Sequence, residues 1–262
     1  MRVAIMTQRT HGLGALALPR LVEAEGIEVV GLVHVVGRGP KRSLRRTLKK
    51  IARIGPLGAL AGVRMRPWYG TDLAHDLELA PVADVARDRG VTVFPVPGPG
   101  SAEARTVLER LEVDAALSLG NGYIPERVYS VPRLGTVNVH HELLPEFRGA
   151  QGVVWQIHEG SATTGFTIHA VDRSIDTGAI LYREEVPIRF GANLGRTVTG
   201  TMADLYRRSA ERLPEVVASL EARLVEAGPQ GPGRSFTTPS FGSYLRILRN
   251  HERLRRETHT AP

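Results

Sequence analysis

The chain has 262 residues, 42% of them hydrophobic and 23% charged, enough for one large α/β core or a core with a small appendage. It contains no cysteine, which excludes disulfides, a thiolate metal site and a cysteine nucleophile, and aromatics at 5% leave little for base-stacking platforms. The formal charge of +7 is local: eight basic residues and no acid lie between Arg38 and Arg53, and removing those eight leaves −1, so the charge argues against a nucleic-acid partner.

The amino terminus, Met1–Met6, is too short an apolar run for a signal peptide, and no stretch approaches a membrane span, so a cytoplasmic protein is expected. Val3–Met6, a polar turn and a helical pattern over Leu13–Glu25 predict strand, turn and helix. Within that turn Gly12-x-Gly14-x-x-Ala17 mimics a dinucleotide fingerprint. Thr7–His11 separate it from the strand, and the second strand ends without an acid, so it reads as a helix start. Ile27–His34 is a second buried-type strand, rich in β-branched residues.

From Arg38 to about residue 70 the connection is long enough to hold its own structure, a helical insertion. Leu44, Leu48 and Ile51 form a narrow apolar stripe on a very basic helix, followed by the glycine-rich Ile54–Gly62. Helical segments Val82–Arg89 and Ala102–Leu111 precede strands Val91–Phe94 and Asp114–Leu119. Strands alternating with helices imply an α/β fold with a mostly parallel sheet. Thr136–Val139 is the next strand, then a helix over Val153–Glu159 and strands over Phe166–Val171 and Ile180–Ile188. Residues 194–227 look helical, with Pro214 as a break or a start. GPQGPGRSFTTPS from Gly228 reads as a linker, and Phe241–Arg256 as a short basic helix before six frayed residues. The expected division is a catalytic domain over 1–190 and a helical extension over 191–262.

The residues suited to chemistry concentrate between Ser118 and Ile180. Leu119-Gly120-Asn121-Gly122-Tyr123-Ile124 follows a predicted strand end, where open α/β sheets place ligands and where glycines let main chain approach a flat molecule. Asn138 and His140, two apart on a strand, point to the same side; a carboxamide and an imidazole supply donors for an oxyanion and a group that moves a proton. A strand ending near Val171 leads to a loop with Asp172 and Asp176, and Gly178 permits the turn onward. A buried aspartate beside a histidine orients the ring and favours its charged form. His141 is expected to face outward or pack beside the motif, His169 to line a strand, and no metal is expected.

Asn138-x-His140 with Leu143-Leu144-Pro145 and Arg148-Gly149, followed by Thr164-Gly165 and Asp172-x-x-x-Asp176-x-Gly178, resembles the folate-dependent formyltransferase family. The resemblance implies a Rossmann-like sheet with a helical tail, and 10-formyltetrahydrofolate as the formyl donor. It places Asn138, His140 and Asp176 in the family's catalytic positions. The donor's pterin would lie between Leu119, Gly120, Asn121, Gly122, Tyr123 and Ile124 on one side and Val171, Asp172 and Ile175 on the other, held largely by backbone. The chain departs from the pattern at Glu142, where family members usually carry serine, and the role of Glu142 stays open.

The acceptor is expected to be a small-molecule primary amine. The segment after Ile188 looks helical and then linker-like, unlike the β-barrel that methionyl-tRNA formyltransferases add. Thr7–His11 lacks the phosphate loop of the glycinamide ribonucleotide enzymes, and the chain begins at its first strand, unlike the formyltetrahydrofolate hydrolases. The chain most resembles sugar N-formyltransferases, which act on nucleotide-linked amino sugars; a siderophore or antibiotic amine and a hydrolase using water remain alternatives. The basic 38–53 segment suits an acidic substrate, a solvated or homodimer-flanking face, or a membrane-surface helix.

Overall fold

The computed structural model describes residues 1–37 and 44–260. The first half runs β1 (Arg2–Thr7), α1 (Leu13–Glu23), β2 (Glu28–Val35), α2 (Leu44–Ile54), α3 (Pro56–Met65), α4 (Thr71–Asp76), α5 (Val82–Asp88), β3 (Val93–Val96), α6 (Ala102–Leu111), β4 (Ala115–Ser118) and α7 (Glu126–Tyr129). The second runs β5 (Thr136–His140), β6 (Phe147–Gly149), α8 (Val154–Glu159), β7 (Thr163–Ala170), β8 (Ile180–Pro187), α9 (Leu194–Ala218), α10 (Leu220–Glu226), β9 (Arg234–Phe236) and α11 (Phe241–Thr260).

One seven-stranded sheet has the order β3-β2-β1-β4-β5-β7-β8. The first five are parallel, and β7 and β8 add antiparallel pairings. Strand β1 lies inside the sheet, between β2 and β4, and both its faces are apolar: Val3 and Ile5 join one buried cluster, Ala4 and Met6 the other. The chain runs outward from β1 in both directions, so the carboxyl ends of β1 and β4 open a crevice at the reversal of strand order. Gly12 stands directly before α1, as the helix-start interpretation of the glycine pattern requires.

Four expectations change. The helix after Asn193 continues through Pro214 to Ala218, and the break falls at Ser219. The supposed linker contains β9, which pairs with β6 because Phe236 is buried against Phe147 and Trp155, with ring centroids 5.3 and 4.8 Å apart. The final helix extends to Thr260 rather than Arg256, anchored by buried Ile247, His251 and Leu254 at helical spacing; of the residues expected to fray, 261 and 262 lie outside the described ones.

In the insertion, the stripe on α2 faces water, with Leu44 82% and Leu48 64% exposed, while Ile54, Ala61 and Met65 anchor the segment instead. Arg38, Lys41 and Arg42 of the basic stretch lie outside the described residues. No described helix is long and apolar enough to cross a membrane.

Candidate active site

The cleft outside the ends of β1, β4 and β5 has a volume of about 700 Å³. On β5, Val137 and Val139 enter the core, which leaves Asn138 and His140 on the opposite face, toward the cleft. The β7–β8 loop brings Asp176 to them. Gly178 makes that loop possible, since a methyl group there would run into the Ala170 carbonyl. Asp172 closes the loop by accepting from Ser174 N at 3.0 Å and Thr177 Oγ1 at 2.7 Å.

Asn138, His140 and Asp176 therefore converge, but not by the direct bond anticipated between imidazole and carboxylate. His140 Nδ1 is 3.8 Å from Asp176 Oδ2, an ionic contact beyond hydrogen-bond reach. His140 Nε2 donates to the Phe147 carbonyl at 2.9 Å, and Asp176 Oδ2 accepts from Gly149 N at 3.0 Å. Strand β6 thus holds the imidazole with one residue and the carboxylate with another.

Gly120, Asn121, Gly122, Tyr123, Ile124, Val171, Asp172 and Ile175 all border the cleft. Leu119 does not: its side chain is 1% exposed in the core, because it continues the inward side of β4, and its carbonyl accepts from Thr7 Oγ1 at 2.7 Å. Tyr123 and Ile175 are 58% and 63% exposed, apolar surfaces on opposite loops. Asn121 donates to Met6 O at 2.8 Å but leaves Oδ1 buried without a partner.

Several neighbours escaped the sequence pattern. His169 sits opposite Asn138 in the β5–β7 register, and its Nε2 lies 3.1 Å from Asn138 Nδ2. Its Nδ1 donates to the Ala170 carbonyl at 2.8 Å, so Nε2 is the unprotonated acceptor of the Asn138 amide. Period-two counting along 163–170 shows that His169 shares a face with Thr167; only the antiparallel register shows what it meets. Glu142, Arg9, Tyr69, Gln151 and Tyr206 also line the cleft. His141 packs beside the motif, stacked on Tyr206 at 4.3 Å and 3.2 Å from Ser209 Oγ.

The electrostatics separate the histidines. Burial works to lower the pKa of His140, but Glu142, the Asp176 charge and the Phe147 carbonyl outweigh it and hold it above the usual value. Burial lowers that of His169, against the opposing pull of Asp176, and the nearby His140 charge lowers it further. Burial and the His140 charge push His141 down to about 3. Of the three rings His140 holds a proton most readily, and burial disfavours the charged form of His169 and His141. Backbone strain gathers here too: Gln151, Val153 and Asp176 have φ of 74°, 72° and 56°, in the left-handed region that non-glycine residues seldom adopt.

Residues 89–217 match the sequence model of the formyl transferase family. Methionyl-tRNA formyltransferase of Koribacter versatilis (strain Ellin345) is 34% identical over 165 residues, covering 62% of this chain and 52% of that protein. The chain thus spans about half the length of this curated relative. Among solved structures, phosphoribosylglycinamide formyltransferase from Bacillus halodurans superposes with a TM-score of 0.57 at 19% identity, over 84% of this chain and 97% of that one. A sugar 3N-formyltransferase, WlaRD, solved in the presence of dTDP and 5-N-formyl-THF, superposes with a TM-score of 0.53 at 13% identity, over 100% of this chain and 82% of that one. The matched residues, 89–217, carry Asn138, His140 and Asp176, and it is this part of the chain that is similar to the formyl transferase family.

Proposed function

We propose that this protein transfers a formyl group from 10-formyltetrahydrofolate to the primary amine of an anionic small molecule, a nucleotide-linked amino sugar. The observation that carries the proposal is the meeting of Asn138, His140 and Asp176 in one cleft bordered by the Gly120–Gly122 loop. The donor, when bound, supplies the activated one-carbon group. The apolar surfaces of Tyr123 and Ile175 suit its flat rings, and the unpartnered Asn121 Oδ1 suits a ring N–H.

Formyl transfer makes a bond from the amine nitrogen to the formyl carbon and breaks the one to the folate nitrogen, while negative charge collects on the formyl oxygen. Asn138 has two amide N–H groups; His169 takes one, which leaves the other for that oxygen. His140 adds its charge, and its Nδ1 proton, not hydrogen-bonded at 3.8 Å from Asp176, is free to reach the same oxygen. Asp176 sustains the imidazolium and moves the amine proton toward the leaving nitrogen.

The anionic acceptor is supported by a second groove, of about 630 Å³, that meets the cleft at Ala150 and Gln151. Lys49, Lys50 and Arg53 of α2 line it together with Thr237 and Thr238. Lys50 Nζ donates to Thr238 Oγ1 at 2.7 Å and Arg53 to Thr237 Oγ1 at 2.8 Å, which sets these cations along the groove wall. A diphosphate there would sit within reach of a sugar amine in the cleft.

The test incubates purified protein and 10-formyltetrahydrofolate with dTDP-linked amino sugars, glucosamine, glycinamide ribonucleotide and methionyl-tRNA, and reads formyl addition by mass. A dTDP-linked sugar is expected to gain one formyl group, and His140→Ala or Asp176→Ala to lose transfer while keeping the fold. Formylation of methionyl-tRNA alone, the substrate named for the Koribacter relative, overturns the acceptor assignment. Formate release without any amine makes the protein a hydrolase, and no transfer at all overturns the activity.

A further inference from the structure

The transfer chemistry above leaves the Glu142 carboxylate unused. Glu142 is 1% exposed yet borders the cleft, and neither of its carboxylate oxygens has a hydrogen-bond partner. Its position is fixed from the strand beneath: Thr167 Oγ1 donates to the Glu142 carbonyl at 2.8 Å and accepts from Leu144 N at 3.1 Å. The carboxylate stem fills the space that Gly152 leaves free, since a Cβ there would stand 2.9 Å from Glu142 Cγ.

The nearest cation is His140, whose Nε2 lies 3.6 Å from Glu142 Oε2 but already donates to Phe147. A carboxylate buried without donors is costly to keep charged, and most buried polar groups are paired. The missing partner must enter through the cleft, carry several N–H donors and bring positive charge. A primary ammonium has all three properties, and this is the form a primary amine takes near neutral pH.

We propose that Glu142 is the acceptor-amine site: its carboxylate receives the substrate's ammonium group and takes one proton from it, giving the neutral amine that attacks the formyl carbon. This inference rests on the formyl-transfer reading of the cleft. One N–H bond of the ammonium breaks and one O–H bond forms on Glu142; the electron pair of the broken bond stays on nitrogen as the attacking lone pair. Glu142 returns the proton to solvent after turnover, which matches the single proton released when an ammonium becomes an amide. Burial raises the Glu142 pKa, His140 opposes this and Asp176 adds to it, so the group is a stronger base than an exposed carboxylate. Tyr69, which also faces Glu142, stays a neutral phenol because burial and the Glu142 charge hold its pKa well above the usual value.

The experiment measures kcat/KM against pH for wild type, Glu142→Gln and Glu142→Asp, with the dTDP-linked amino sugar that wild type formylates and with 5-formyltetrahydrofolate binding as a check on the cleft. Glu142→Gln is expected to bind the folate as wild type does and to lose roughly 10²–10⁴-fold in rate at neutral pH. The deficit should shrink as pH rises toward the amine's own pKa, where no base is needed. Glu142→Asp keeps the charge with a shorter reach and is expected to fall less and to retain the wild-type pH limb. A Gln variant with the wild-type rate and profile overturns the inference, and so does a loss that is equal at every pH. If the Gln variant does not fold, an Asp variant with undiminished kcat overturns it. A wild type that formylates no amine overturns the functional reading itself, an outcome visible before any variant is made.

Discussion

Asn138 and His169 show how little of a site's wiring lies in a local motif. The spacing Asn138-x-His140 places both side chains on one side of a strand, and the structure keeps them there. That Asn138 spends one amide proton on His169 follows from strand pairing between residues 31 apart, which no local pattern encodes. Glu142 was visible as a departure from the family pattern, but its burial and its unpartnered oxygens are properties of the packed loop.

The adjacent His141 gives a prediction at the same scale. Its pKa is about 3 in the folded chain, against 6.5 for an ordinary histidine, so between those values the unfolded chain holds a proton that the folded chain does not. Its contribution to stability is whole above the ordinary value and declines as pH falls toward 3, by at most about 1.4 kcal/mol per pH unit. Urea midpoints measured from pH 4 to 7 should fall less steeply in His141→Gln than in wild type; parallel curves would reject the assignment.

Among the elements, the paired β6 and β9 were the hardest to foresee. Each is three residues long, and β9 is embedded in a glycine- and proline-rich run that signals a turn. What makes β9 a strand is the partner 87 residues earlier and the aromatic contact that buries Phe236. Pro214 misled for a related reason: tertiary packing of α9 carries the helix across a residue that would break an isolated one. Gly149 is where the pairing can be tested. Its φ is +104° and a Cβ there would strike the Phe236 carbonyl, so Gly149→Ala should part β6 from β9. The expected result is a loss of roughly 1–3 kcal/mol in urea unfolding. The N–H that binds Asp176 should shift with it, lowering kcat more than donor affinity.

At the scale of the molecule the parallel sheet was legible because its central strands are buried on both faces and so read as unbroken apolar runs. The antiparallel end, β7 and β8, read equally well as strands, but their direction was not encoded in their composition. The carboxy-terminal helix looked marginal because its polar face is so basic; its three buried anchors decide otherwise. Leu254→Ala should cost roughly 2–5 kcal/mol by emptying a buried site. Because Leu254 does not border the cleft, kcat below the unfolding transition should be unchanged, and a fall in kcat would show that α11 shapes the cleft directly.

The β6–β9 ribbon also bears on when the site can exist during synthesis. The sheet's strands are all complete once residue 187 has left the ribosome, but the splint between imidazole and carboxylate needs residues 234–236. A nascent chain can therefore carry a finished scaffold while the Phe147 and Gly149 contacts to His140 and Asp176 still await the strand that residues 234–236 supply.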